Sequence, residues 1–94
     1  MAEKTFKLEV LSPERPVYKG DVVSIMAEGS EGFLGILYGH APLLTTLKKG
    51  LLKIKEPGEK VSHLVIDSGF MEVKQNHVVI LTEAAGIETS DQKG

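Results

Sequence analysis

The stretch Phe70-Met71-Glu72-Val73-Lys74-Gln75-Asn76-His77-Val78-Val79-Ile80-Leu81-Thr82 decides the fold. Its first part alternates, with Phe70, Glu72 and Lys74 opposite Met71 and Val73, which is the period of a strand buried on one face. Its last part, Val78 to Thr82, is β-branched and almost continuously apolar, the pattern of a central strand. Between them Gln75-Asn76 reads as a hairpin tip, since asparagine tolerates turn conformations. Two strands and a tight turn therefore fit into thirteen consecutive residues.

The same grammar extends outward. Phe6 to Ser12 alternates, Phe6, Leu8 and Val10 against Lys7 and Glu9, and Pro13 stops the pairing. Val17–Lys19 and Asp21–Glu28 read as extended runs either side of Gly20, and Val22, Val23, Ile25 and Met26 suggest a strand covered on both faces. Gly29 to Gly39, punctuated by four glycines, reads as a turn, two very short strands and another turn. Leu43 to Leu47 fits an extended run or a brief helical turn. Leu51 to Glu56 alternates Leu52 and Ile54 with Lys53 and Lys55, Pro57-Gly58 marks a turn, and Val61 to Ile66 reads as a second central strand. No amphipathic helix of about ten residues is predicted. The expectation is an all-β fold, a flattened sandwich or barrel of about ten short strands in two sheets. Residues 1–85 form one domain, and 86–94 form a polar tail expected to fray.

Composition narrows the function. Ninety-four residues suffice for one core, and 41% hydrophobic with 26% charged residues is ordinary globular composition. A net charge of −2 offers no field for nucleic acid or anionic lipid. The absence of cysteine excludes disulfides and thiolate metal sites. Apolar runs are too short to span a bilayer, and the N-terminus lacks a signal-peptide pattern.

No motif carries chemistry of its own, and neither a cofactor, a metal nor a catalytic residue is expected. Glu28-Gly29-Ser30-Glu31-Gly32-Phe33-Leu34-Gly35 is glycine-spaced like a phosphate loop, but no Lys-Ser or Lys-Thr follows and two carboxylates would repel an anion. Its glycines serve tight turns, and its carboxylates suit a basic partner. His40, His63 and His77 are too scattered for zinc. His77 is expected in solvent at a turn, His63 partly covered, and His40 held by a backbone hydrogen bond. Asp67-Ser68-Gly69 lacks a nucleophile elbow and reads as a hairpin turn. Glu9 and Glu72 could meet across a sheet, without any sign of a pocket around them. Lys48, Lys49, Lys53, Lys55 and Lys60 read as a solvated strand edge, or alternatively as an edge, Lys48 to Lys55, that binds single-stranded nucleic acid or peptide. No aromatic residue between Tyr38 and Phe70 offers a stacking platform there.

Several segments in order, Pro13-Glu14-Arg15 with Val17-Tyr18-Lys19-Gly20, Gly29-Ser30-Glu31-Gly32 with Gly35-Ile36-Leu37, Gly39-His40-Ala41-Pro42-Leu43-Leu44-Thr45, Ser68-Gly69-Phe70-Met71-Glu72-Val73 and Val78 to Thr82, resemble the epsilon subunit of F-type ATP synthases. The match runs from about Thr5 to Ala85. Tyr38 departs from it, standing where proline is common, and the family's C-terminal helical hairpin has no counterpart before Gly94. The resemblance implies a ten-stranded sandwich in the central stalk, a non-catalytic rotor part that couples ion flow to ATP synthesis and turns with gamma on the c-ring. It implies a c-ring contact at Gly29, Ser30, Glu31, Gly32 and Phe33, and a gamma contact at His40, Ala41, Pro42, Leu43 and Thr45, with Ser12 and Asp67 beside them. It further implies a monomer when isolated, no direct lipid insertion, no hairpin-type inhibition of hydrolysis, and a place on the cytoplasmic face of a bacterial inner membrane or the equivalent side of an organelle membrane.

Overall fold

A computed structural model describes residues 4–88. Ten strands run through them: β1 (Phe6–Leu11), β2 (Pro16–Val22), β3 (Ser24–Gly29), β4 (Gly32–Leu37), β5 (Leu43–Leu47), β6 (Gly50–Glu56), β7 (Lys60–Ile66), β8 (Gly69–Lys74), β9 (His77–Thr82) and β10 (Ala85–Glu88). No helix occurs among the described residues. The strands form two five-membered layers, β4-β3-β6-β7-β10 and β5-β8-β9-β1-β2, joined through the single pair Gly29 with Leu47. Their pairing is antiparallel except for β1 with β9.

Alternation explains the layers. Leu8, Val10, Met71, Val73, Val78 and Ile80 face inward from one sheet, and Ile25, Ile36, Leu52, Ile54, Leu64 and Ile66 from the other, in one continuous core. Each such side chain contributes roughly 1.5–3 kcal/mol through burial. The alternating outward residues Lys7, Lys53, Lys55, Glu72 and Lys74 remain exposed. The Gln75-Asn76 tip is as expected: both residues have positive φ, 50° and 61°, the geometry of a two-residue type I′ hairpin.

Several local readings are corrected. The break near Gly20 falls instead at Val23, because β2 runs through Gly20 and the chain changes sheet at Val23, whose N–H donates to Lys55 O at 2.7 Å. That change of sheet explains why Val22 and Ile25 are buried while Met26 is exposed: no strand here is covered on both faces. Gly32 to Leu37 is one strand, and Leu43 to Leu47 is extended. Asp67-Ser68 is no hairpin turn, since it carries the chain from β7 in one sheet to β8 in the other. Strand β10 pairs with β7 from Ala85 to Glu88, so regular pairing continues past Ala85, and residues 89–94 of the expected tail lie outside the described residues.

Tyr18 helps close the sandwich on its other side. Its hydroxyl donates to the Glu56 carboxylate, linking β2 to the end of β6, and the ring lies over Gly20, where a Cβ would just touch the phenol oxygen at 3.4 Å. Burial first, then the hydrogen bond and negative charge of Glu56, push the Tyr18 phenol above its ordinary pKa.

Antiparallel β3 and β5 meet at their last residues, Gly29 and Leu47, where the sheet folds back on itself, so successive connections alternate between two ends. Gly29, Leu47, Gly69 and Thr82 pair in one row at the base, which carries Ser30-Glu31, Lys48-Lys49, Asp67-Ser68, Glu83-Ala84 and the β1–β2 link from Ser12. The far end carries Val23, Tyr38 to Pro42, Pro57 to Glu59 and Gln75-Asn76. A six-residue strand separates the ends by about 20 Å.

Candidate functional site

The Ser30-Glu31 turn is the shortest kind of hairpin connection. Gly29 pairs directly with Gly32, which takes φ 124°, a value glycine reaches without the strain of a side chain. Gly29 is buried because the chain folds tightly here: a Cβ on it would lie 3.0 Å from Leu34 Cδ1. Ser30 and Glu31 are exposed, and among the described residues Glu31 has no ion-pair partner. Phe33, at the foot of the turn on β4, is 71% exposed.

At the far end the β4–β5 connection crosses from one sheet to the other. Its first turn is closed by His40 N–H donating to Leu37 O at 3.1 Å, with Gly39 at φ 81°. The His40 ring is held as expected: Nδ1 lies 2.7 Å from Ala41 O, so Nδ1 carries the proton and donates to that carbonyl. Lys4 Nζ lies 5.3 Å from the Tyr38 ring centroid. Ala41 and Pro42 are exposed, Leu43 and Thr45 half-buried on β5. Leu44 between them is 71% exposed.

The sequence-derived residues therefore fall into two groups that differ from those expected. Gly29, Ser30, Glu31, Gly32 and Phe33 come together at the base, and His40, Ala41 and Pro42 at the far end. Ser12 and Asp67, grouped with His40 in the sequence reading, stand at the base: Ser12 N–H and Oγ both donate to Arg15 O, and Asp67 N–H donates to Ala84 O. A surface that includes them and His40 has to run the length of the sandwich. Leu44, Phe70 and Leu81 were not singled out, yet alternation puts each on an outward position and each is more than half exposed. Phe70 and Leu81, paired across β8 and β9, border an open cleft of about 610 Å³ with Leu11, Ser12 and Thr46.

Other expectations change with the geometry. His77 is not simply solvated, since its Nε2 lies 2.6 Å from Glu9 Oε2. Glu9 and Glu72 do not meet: each is paired with Val79, on opposite sides of β9. Lys53 and Lys55 do not blunt an edge, because β6 lies between β3 and β7. They flank Met26 and Leu37 in a groove of about 310 Å³ without an aromatic ring. Ser68 has φ 60°, its carbonyl accepts from Thr82 Oγ1 at 2.6 Å, and the cleft beside it contains no histidine to act as base. Among the described residues no three acidic or histidine side chains converge on a metal position.

Comparison with known proteins gives this arrangement a family. Residues 5–87 match the model of the β-sandwich domain of the ATP synthase delta/epsilon chain. The chain is 46% identical over 88 residues to an ATP synthase epsilon chain of Leptospira interrogans, covering 94% of this chain and 68% of that one. It is 45% identical over 85 residues to that of Pelotomaculum thermopropionicum, covering 90% and 63%. The chain thus spans about two thirds of the length of these relatives. A shorter relative from Chlorobium limicola, 37% identical over 82 residues, is covered over 93% of its length. Among solved structures, a chain in the Euglena gracilis mitochondrial ATP synthase OSCP/F1/c-ring assembly superposes with a TM-score of 0.84 at 27% identity, over 88% of this chain and 53% of that one. A chain of the Tetrahymena thermophila mitochondrial ATP synthase central stalk and c-ring shares the fold, with a TM-score of 0.75 at 20% identity, over 98% and 75%. A ten-stranded sandwich with a two-residue turn at one end and a pinned crossover at the other, matched over residues 5–87, makes this chain a member of the ATP synthase delta/epsilon family.

Proposed function

We propose that the chain is a non-catalytic rotor element of an F-type ATP synthase, a stiff spacer that docks on the gamma subunit and rests on the c-ring. The family match carries this reading. The named assemblies of its structural relatives, OSCP/F1/c-ring and central stalk/c-ring, support it. The mechanics also suit it. A rotor part must pass torque between neighbours without deforming, and a close-packed interior has low compressibility. One core spans both sheets here, so a load on the Ser30-Glu31 turn passes to the far end through packed side chains.

On this reading Glu31 makes a charge-assisted contact with a basic loop of the c-ring, with Phe33 covering the apolar ground beside it. His40 to Leu43, with Thr45, meets gamma, and Ser12 and Asp67 extend that surface toward the base. The sandwich works as a monomer at the membrane surface without inserting into lipid, on the side that bears the catalytic sector.

The two contacts separate by mutation. Glu31→Lys is expected to weaken binding to c-ring membranes by about tenfold and leave gamma affinity alone, as loss of an exposed charge contact does. His40→Ala is expected to do the reverse, since it removes a ring that the connection holds in place. Titration against isolated gamma and against stripped membranes reads both. If neither variant changes either affinity, the docking assignment fails.

A further inference from the structure

We propose that Asn76 is a positioning residue for the far-end docking segment, holding Gly39 to Pro42 in the shape that its partner binds. The inference rests on the reading of that segment as the gamma contact. Asn76 lies in the β8–β9 turn, 37 residues along the chain from Gly39, and its Oδ1 accepts the Gly39 N–H at 2.8 Å. Its backbone carbonyl also accepts the Lys7 N–H at 3.0 Å. One residue thus ties together a hairpin tip, the first strand and the crossover between sheets.

The residue type fits the task. At φ 61°, the second position of a type I′ turn, glycine is the common choice and asparagine the usual alternative. Asparagine adds an acceptor that glycine lacks, and the structure uses it on a different element. Without that bond the Gly39 N–H loses its protein partner, and the segment keeps only its own short-range bonds, His40 N–H to Leu37 O and His40 Nδ1–H to Ala41 O. Those two fix the turn and the ring locally. The Asn76 bond is the one that references the turn to the second sheet, on which Leu43 begins β5. A segment with fewer alternative shapes loses less entropy on binding.

The test uses the full chain with Asn76→Gly, which keeps the backbone conformation and removes the acceptor, and Asn76→Asp, which keeps an oxygen in the same place. Amide hydrogen exchange of Gly39 is followed by NMR, and affinity for the cognate gamma subunit by titration, with His40→Ala alongside. The expected result is faster Gly39 exchange and roughly tenfold weaker gamma binding in Asn76→Gly, about 1.4 kcal/mol. Asn76→Asp restores both, and c-ring affinity is unchanged. Wild-type gamma affinity in Asn76→Gly, with weakened His40→Ala, overturns the positioning role and leaves the docking reading standing. Unchanged affinity in both variants overturns the docking reading and this inference with it. An unprotected Gly39 amide in the wild-type chain, or an Asn76→Asp variant as weak as Asn76→Gly, also overturns the role.

Discussion

The two ends of the sandwich present their segments by opposite means. The Ser30-Glu31 turn is self-sufficient: its shape follows from direct pairing of Gly29 with Gly32 and from the positive φ of Gly32, and among the described residues no side chain from elsewhere hydrogen-bonds to it. The Tyr38 to Pro42 connection is longer, crosses between sheets, and depends on neighbours, with Asn76 on its backbone and Lys4 over the Tyr38 ring. A tight hairpin needs only local chemistry to stand out into solvent. A crossover has to be told where to lie.

The largest effect is expected from breaking the ground under the self-sufficient turn. Gly69 belongs to the row Gly29, Leu47, Gly69, Thr82. It has φ 153°, and a methyl group there would collide with the Leu81 carbonyl oxygen. Gly69→Ala therefore forces β8 and β9 apart where two sheets meet, and a loss above about 4 kcal/mol is expected, the range reserved for such clashes. Urea denaturation measures it. Near-wild-type stability would mean that the base is not the tightly packed root described here.

A smaller and more pointed effect separates backbone from side-chain control. Gly32→Ala places a Cβ at φ 124° with nothing within 4 Å of it, so any cost is conformational, on the order of 1–3 kcal/mol. Gly35→Ala, three residues along the same strand, meets only Met26 Cε at 4.0 Å and has no positive φ. It is expected to be neutral or slightly stabilising, by up to about 1 kcal/mol. If both cost the same, the Ser30-Glu31 turn does not depend on the conformation of Gly32.

The contrast between the ends also explains what could be read in advance. Alternation in Phe6 to Leu11, Leu51 to Glu56 and Phe70 to Lys74 gives the inward face of each strand directly, because a residue's side is fixed by its parity. The Gln75-Asn76 tip and the Ser30-Glu31 turn are legible for the same reason, as local chemistry. Asp67 and Ser68 were misread because a strand that changes sheets looks, residue by residue, like a strand that turns back, and Val23 because the shift of inward parity at a change of sheet looks like burial on both faces. Lys53 and Lys55 were misplaced because outward parity does not distinguish an inner strand from an edge. Asn76 was recognised as a turn residue, but its bond to Gly39 is long-range and left no periodic trace. Tyr18 with Glu56, 38 residues apart, is hidden in the same way.

That last pair supplies the smallest effect, and the one that tests how the open side of the sandwich is closed. The Tyr18 hydroxyl donates to Glu56, and burial together with that carboxylate raises its pKa in the folded state. Unfolded tyrosine ionises near pH 10. Above about that pH the unfolded chain has released a proton that the folded chain still binds, so stability falls as pH rises, and below it the contribution is fully present. Tyr18→Phe cannot titrate and also lacks the hydrogen bond, so at neutral pH it should be less stable by about 1 kcal/mol. The gap between wild type and Tyr18→Phe should then narrow as the solution is taken from pH 9 toward pH 11, about the ordinary tyrosine value. Groups common to both proteins cancel in the difference. A gap that stays constant through alkaline pH would mean the phenol is not held neutral by burial and Glu56, leaving the Val23 N–H to Lys55 O bond as the polar link described across that side.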